Sequence, residues 1–365
     1  MTNPLKYLDL GIHLDFVIWH LDFTINKKGI MKIGIIGPAQ SGKTAIFRVL
    51  LQSTDIAGGI GMFKFMDQRI ERLSDIYSSK KKVYPEMSFL DIRLETGFTG
   101  KEYSRLHDID LFICVANAFF SEDPKKDLEA YMTDIILSDL EAIQNRLARI
   151  EKDRMKMKTD AESETRLLKK CQGSLENSRL LRNIGLSRDE LGLFSGFSFI
   201  SLRPIIVVIN LAEGQEEDKI SRVEEYCSSI GVKSIRFFGK TELEILELNP
   251  EERDEFSKEM GSGYNFRENM SGLICRELNL LTFFTAGDKD TTGWHLESGL
   301  SVIEAAGKIH SDIKRGFIRA EIVNYEDFIR CEGNMQKVRE AGLLKIEGKE
   351  YIVKDGDMLN IRFNI

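Results

Sequence analysis

Along the first two thirds of the chain, short runs of apolar, β-branched residues alternate with segments whose apolar positions recur every three or four residues. Lys32-Ile33-Gly34-Ile35-Ile36, Asp110-Leu111-Phe112-Ile113-Cys114-Val115 and Pro204-Ile205-Ile206-Val207-Val208-Ile209 read as strands of a buried parallel sheet, and Met87-Ser88-Phe89-Leu90-Asp91 as a further strand. A helix follows the first strand, with Ile46, Phe47, Leu50 and Leu51 on one face. The stretch between Val115 and Pro204 is far longer than one crossover needs. Within it, Leu140, Ile143, Leu147 and Ile150 step by three and four, and Leu168, Cys171 and Leu175 do so again after a charged bend from Lys156 to Glu164. Two antiparallel helices projecting from the sheet are the direct reading, their stripes packing on each other.

From Leu281 the pattern shortens. Val302, Ala305, Ala306, Ile309 and Ile313 mark one amphipathic helix. Lys345 to Val353 reads as strand, Glu347-Gly348-Lys349 turn, strand. Beyond the Asp355-Gly356 turn, Leu359, Ile361, Phe363 and Ile365 alternate with Asn360, Arg362 and Asn364. A small mixed sheet holding one helix is a β-grasp arrangement. The chain is therefore expected to be α/β, with a helical arm inserted in its first domain and a β-grasp domain at its end.

Composition narrows the function classes. Apolar residues make up 42% and charged residues 30%, an ordinary globular balance. The net charge of −7 argues against a generally basic nucleic-acid binder, and no DNA partner is expected. Five scattered cysteines without a C-x-x-C pair imply neither a disulfide framework nor a zinc site, and suit a reducing, cytoplasmic setting. The best membrane candidate, Tyr7 to Ile25, is interrupted by Asp9, Asp15 and Asp22, so no membrane association is expected. Met31 immediately precedes the first strand, so residues 1–30 are read as an N-terminal extension or a start codon placed too early.

The chemistry sits at strand ends. Gly37-Pro38-Ala39-Gln40-Ser41-Gly42-Lys43-Thr44 fits G-x-x-x-x-G-K-[ST] between a strand and a helix. Glycines let such a loop curl its N–H groups toward phosphate oxygens, and the helix start adds its positive end. Lys43 would reach the β- and γ-phosphates, while Thr44 would ligate Mg²⁺. Asp91, closing its strand, is the candidate carboxylate on the magnesium side. Leu94 occupies the position at which GTPases continue Asp91 as D-x-x-G.

Asn210-Leu211-Ala212-Glu213 forms an N-x-x-acid box at another strand end, where GTPases read the base. Glu213 replaces their aspartate and Leu211 the lysine that packs on the base, which makes adenine plausible beside guanine. Two features take simpler readings: Lys80-Lys81-Lys82 as a solvated run before a strand, and His310 as a helix-end residue.

With these residues, the chain resembles the YchF/Obg-like ATPase family within the Obg group of P-loop GTPases. The resemblance runs from about residue 31 to the C-terminus. It is densest in Leu281-Thr282-Phe283-Phe284-Thr285-Ala286-Gly287, Ile309-His310-Ser311-Asp312, Gly316-Phe317-Ile318-Arg319-Ala320-Glu321, Tyr325-Glu326-Asp327-Phe328 and Asp355-Gly356-Asp357.

The resemblance implies a nucleotide-binding domain over 31–123 and 200–278, a coiled-coil arm over 124–199 and a TGS-like domain over 279–365. It also implies a slow Mg²⁺-dependent ATPase acting on a ribosome-like or RNA partner. Asn210 and Glu213 fall on the family's N-x-x-E box, which goes with ATP over GTP, and Gly239 on its base-contacting turn. The chain departs from the family in lacking its P-N-V-G-K-S loop, in a shorter first switch between Lys43 and Gly61, and in Phe238-Gly239-Lys240. Binding residues are kept better than switching residues. A degenerate nucleotide-binding scaffold, or a GTPase of ordinary guanine choice, are the alternatives.

Overall fold

The computed structural model describes residues 30–52, 59–92, 106–156, 162–194, 196–212, 214–249, 251–252 and 266–364. The N-terminal segment 1–29, Leu94, most of the arm's bend and Glu213 lie outside the described residues.

The strands are β1 (Lys32–Ile36), β2 (Ile60–Lys64), β3 (Lys81–Val83), β4 (Glu86–Asp91), β5 (Leu111–Asn117), β6 (Ile205–Asn210), β7 (Lys233–Phe237), β8 (Leu280–Ala286), β9 (Asp290–Glu297), β10 (Phe317–Asn324), β11 (Lys345–Glu347) and β12 (Asp357–Phe363). Around the first sheet and in the arm lie α1 (Lys43–Leu51), α2 (Gln68–Tyr77), α3 (Pro124–Lys156), α4 (Glu162–Glu176), α5 (Arg188–Leu193), α6 (Glu217–Ser229), α7 (Gly239–Glu247) and α8 (Phe266–Glu277). The C-terminal part adds α9 (Val302–Ile309), α10 (Ser311–Arg315), α11 (Tyr325–Arg330) and α12 (Met335–Glu340).

The first sheet has the order β2-β4-β1-β5-β6-β7, parallel except for the antiparallel edge strand β2. β5 and β6 are apolar up to their terminal Asn117 and Asn210 because helices cover both faces. One layer of core joins Ile46, Phe47 and Leu50 of α1 to Ile33, Ile35, Ile113 and Val208. On the opposite face, Cys114, Val207 and Ile209 pack with Met132, Ile135 and Ile143 of α3. The arm's stripes meet as the spacing predicts: Ile143, Leu168, Cys171 and Leu175 are buried together, and Arg146 pairs with Glu164 across the two helices at 2.7 Å.

The second sheet runs β11-β10-β12-β8-β9-β3, and α9 buries Val302, Ala305 and Ala306 against it. The expected helix, α9, does lie on this sheet, with α2, α11 and α12 packed on its other face, but the expected 345–353 hairpin does not form. Ile352 makes only an isolated bridge to Ser301, and Val302 N–H donates to the Tyr351 carbonyl, so the returning segment is drawn to the start of α9 instead of pairing with β11. His310 does sit at a helix end, closing α9 and accepting the Asp312 N–H on Nδ1 to start α10.

The largest departure concerns residues 65–85, which the sequence places within the 31–123 segment. They leave the first sheet after β2, and Ile70 and Leu73 of α2 pack on Phe284, Val323, Phe328, Val338 and Met358. β3 then adds a parallel edge strand to β9 of the second sheet before the chain returns as β4. Lys80, Lys81 and Lys82 are exposed ahead of β4 as expected, but Lys81 and Lys82 also form part of β3; Lys82 pairs with Glu71 and Asp75, and exposed lysines on an edge discourage further pairing.

Candidate nucleotide-binding site

β1, β4, β5 and β6 all end on one side of the first sheet, and β1 lies between β4 and β5, so the chain leaves it in opposite directions. This is the switch point at which open α/β sheets bind ligands. The loop 37–44 lies there. Gly37 has φ +148°, Gln40 φ +59° and Gly42 φ +101°, and the last of these starts α1 with no side-chain cap. The first N–H groups of α1 therefore lack a capping side chain, which leaves a positively polarised helix end.

Both glycines are required by close approach as well as by φ. A Cβ at Gly37 would stand 2.8 Å from the Val115 carbonyl, and one at Gly42 2.3 Å from Asn210 Nδ2. Lys43 folds back over the curl, its ammonium donating to the carbonyls of Gly37 at 2.8 Å and Pro38 at 2.6 Å. Ala39, Gln40 and Thr44 are exposed, whereas Ser41 is fully buried and its Oγ has no hydrogen-bond partner among the described residues. Ser41 thus faces the protein and offers the loop its main chain alone.

Asp91 lies beside Ile35 in register, half-buried, and its N–H donates to the Gly59 carbonyl at 2.8 Å. A threonine hydroxyl and a carboxylate are hard oxygen donors of the kind Mg²⁺ takes. No three His, Cys, Asp or Glu side chains converge among the described residues.

Asn210 closes β6, buried, and its Nδ2 donates to the Ser41 carbonyl at 3.0 Å. Gly239, at the start of α7, is buried behind it; a Cβ there would stand 2.7 Å from Asn210 Oδ1. The phosphate loop, the Asn210 box and the Gly239 turn, far apart in sequence, are thus in contact. Leu211 does not stand out over the site as the replaced lysine would: it is buried among the apolar residues of α6 and β6.

One neighbour escapes sequence reading. The Tyr131 hydroxyl of α3 hydrogen-bonds the main chain at Gly37, and burial pushes that phenol well above its usual range. No spacing in the sequence marks Tyr131, because it comes from the arm. Cys114 lies under the same loop, its thiol pushed up to about 12 by burial, which keeps it protonated.

Fold and loop together define a P-loop nucleotide-binding architecture of the GTPase-like α/β class with a C-terminal domain. Residues 280–364 match the YchF-GTPase_C family model, described as a protein of unknown function (DUF933). The chain is 30% identical to the "Ribosome-binding ATPase YchF" of Bacillus subtilis (strain 168), over 91% of this chain and 99% of that protein. With the protein of the same name from Escherichia coli O157:H7 the identity is 31%, over 92% and 99%.

Among solved structures it is similar to the Schizosaccharomyces pombe YchF GTPase, with a TM-score of 0.79 and 22% identity over 92% of this chain and 98% of that one. A GTP-binding protein from Pyrococcus horikoshii OT3 gives a TM-score of 0.59 and 15% identity, over 92% and 100%. The chain belongs to the YchF family.

Proposed function

We propose that this chain is a Mg²⁺-dependent P-loop nucleotide hydrolase of the cytoplasm that takes ATP over GTP and works on the ribosome. The observation that carries the reading is the curl from Gly37 to Lys43, already formed, with the lysine held over it and the α1 N-terminus open behind it. Main-chain N–H groups of the loop bind the phosphate tail, and Lys43 neutralises charge on the β- and γ-oxygens. Thr44 and Asp91 hold the magnesium, which supplies charge neutralisation at the phosphates. Asn210 and Glu213 take the base side, with Gly239 giving Asn210 room. Ribosome binding is supported by the similarity to the ribosome-binding ATPases of Bacillus subtilis and Escherichia coli. Among the described residues no helix is long and apolar enough to cross a membrane.

Catalysis is phosphoryl transfer to water. With Leu94 in place of the D-x-x-G glycine and no glutamine after it to orient water, turnover is expected on the order of 10⁻⁴ s⁻¹ or below without a partner. The same sequence feature favours a second reading, a scaffold that binds nucleotide without turning it over.

Calorimetry of the nucleotide-stripped protein with ATP and with GTP, each with Mg²⁺, tests the binding reading. Failure of both to bind at millimolar concentration rejects it. A phosphate-release assay comparing the wild type with Lys43→Ala separates enzyme from scaffold: turnover lost in the variant supports the enzyme, and equal background rates leave the scaffold. Glu213→Asp should shift preference toward GTP.

A further inference from the structure

Residues 65–85 join two places that the domain layout keeps apart. Their stems are the edge strand of the nucleotide sheet, β2, and its neighbour β4, paired from Ile60↔Leu90 to Lys64↔Glu86. The Phe65 N–H donates to the Pro85 carbonyl at 2.9 Å, so entry and exit are tied together one residue beyond that ladder. β4 then runs directly to Asp91, which lies beside Ile35 at the mouth of the phosphate loop. Any displacement of the excursion is therefore applied to the strand that carries Asp91.

The excursion itself is held by the C-terminal sheet. β3 pairs with β9, Ser79 Oγ donates to the Gly287 carbonyl at 2.6 Å, and the Lys80 N–H donates to the Asp288 carbonyl at 3.2 Å. Ile70 and Leu73 are fully buried, and a Cβ on Gly293 would stand 2.6 Å from Ile70, so α2 lies directly on the strand. Arg69 closes the link. Its guanidinium lies 4.9 Å over the Phe284 ring, donates to the α2 N-cap Asp67 at 2.8 Å and reaches Asp355 in the turn before β12 at 2.6 Å. The other Asp355 oxygen accepts the Thr282 N–H at 2.8 Å. Close-packed interiors transmit such displacements because they compress little.

We propose that the C-terminal sheet positions the Asp91 strand through residues 65–85, with Arg69 as the clasp, so that magnesium-dependent nucleotide binding and the seating of the C-terminal sheet are coupled. This rests on the nucleotide site proposed above. Arg69 touches neither nucleotide nor metal in this reading; it is a positioning residue. Coupling of this kind is reciprocal: nucleotide with magnesium tightens the seating of the C-terminal sheet, and whatever moves that sheet changes affinity for the magnesium complex.

The test uses the full chain and two variants: Arg69→Met, which keeps the stem over Phe284, and Asp355→Asn, which keeps the Thr282 contact and serves if Arg69→Met folds poorly. ATP affinity is measured by calorimetry with Mg²⁺ and in EDTA, and amide hydrogen exchange is followed over β3, β9 and β12. The expected result is a loss on the order of fivefold in affinity with Mg²⁺, little change in EDTA, and slowed exchange in the wild-type C-terminal sheet on adding ATP with Mg²⁺ that both variants lose. An equal loss in both conditions, or no loss with no nucleotide-linked protection in the wild type, overturns the coupling while leaving the nucleotide site standing. Absence of ATP binding to the wild type in either condition overturns both.

Discussion

Asn210, the last residue of β6, donates its side-chain N–H to the main-chain carbonyl of Ser41 at 3.0 Å, and so fixes the phosphate loop against the strand that begins the base-side box. The contact leaves no space for a side chain at position 42, where a Cβ would overlap the same nitrogen at 2.3 Å. Two parts of the candidate site therefore hold each other before any ligand arrives.

Asn210→Ala removes the donor from a buried carbonyl. The expected cost is about 1–3 kcal/mol in stability, together with weaker nucleotide binding. Gly42→Ala adds strain at a left-handed φ and is expected to cost about 1–3 kcal/mol as well. Urea denaturation followed by calorimetry with ATP checks both; full stability with full affinity in either variant would remove the brace.

Asp139 lies wholly buried on α3 and accepts from the N–H groups of Ile200 at 3.1 Å and Ser201 at 2.8 Å and from the Ser201 hydroxyl at 2.5 Å. It ties the arm to the segment that re-enters the first sheet. Asp139→Ala is expected to destabilise the protein by about 3 kcal/mol, because three donors lose their acceptor. A urea midpoint indistinguishable from the wild type would contradict that role.

The interface between α2 and the C-terminal sheet is expected to carry stability as a core does. Ile70→Ala opens a cavity between Phe284 and Phe328 and should cost about 2–5 kcal/mol. A loss below the cost of a surface substitution would mean that α2 is only loosely docked.

Burial raises the Glu242 carboxyl from its ordinary value to about 7. The folded state thus keeps a proton that the unfolded chain gives up near pH 4.5, so the folded form is penalised as pH rises from about 4.5 through 7. Glu242→Gln should flatten that part of the pH–stability curve and raise Tm at pH 8 relative to wild type. Parallel Tm profiles of the two proteins between pH 4.5 and 8 would reject the assignment.

His295 carries the opposite signature. Burial lowers its pKa to about 4, so it stays neutral when folded and its contribution to stability is lost as pH falls from 6.5 toward 4. His295→Gln should reduce acid sensitivity in that window, measured as Tm between pH 4 and 7. Unchanged sensitivity would place its cause elsewhere.

The local chemistry was legible along the chain. β1 coincides with its expected bounds, Asp91 and Asn210 close their strands, and the stripes on α3 and α4 meet as their spacing required. All of this follows from short-range pattern: β-branched runs bury themselves, a curl of glycines precedes a helix, and apolar positions three or four apart share a face. Where those elements went was another matter. That β3 would join β9, that Tyr131 of the arm would meet Gly37, that Leu211 would turn into the core, and that Ile352 would bridge to Ser301 are pairings between residues distant in sequence. Such contacts form only when whole faces find their complements, and no local period encodes the partner. The sequence by itself determined most of the elements and the place of the Gly37–Thr44 loop between β1 and α1; the tertiary structure alone decided that the strand bearing Asp91 is tied to the C-terminal sheet, because that tie is made by burial and strand pairing between residues far apart in the chain.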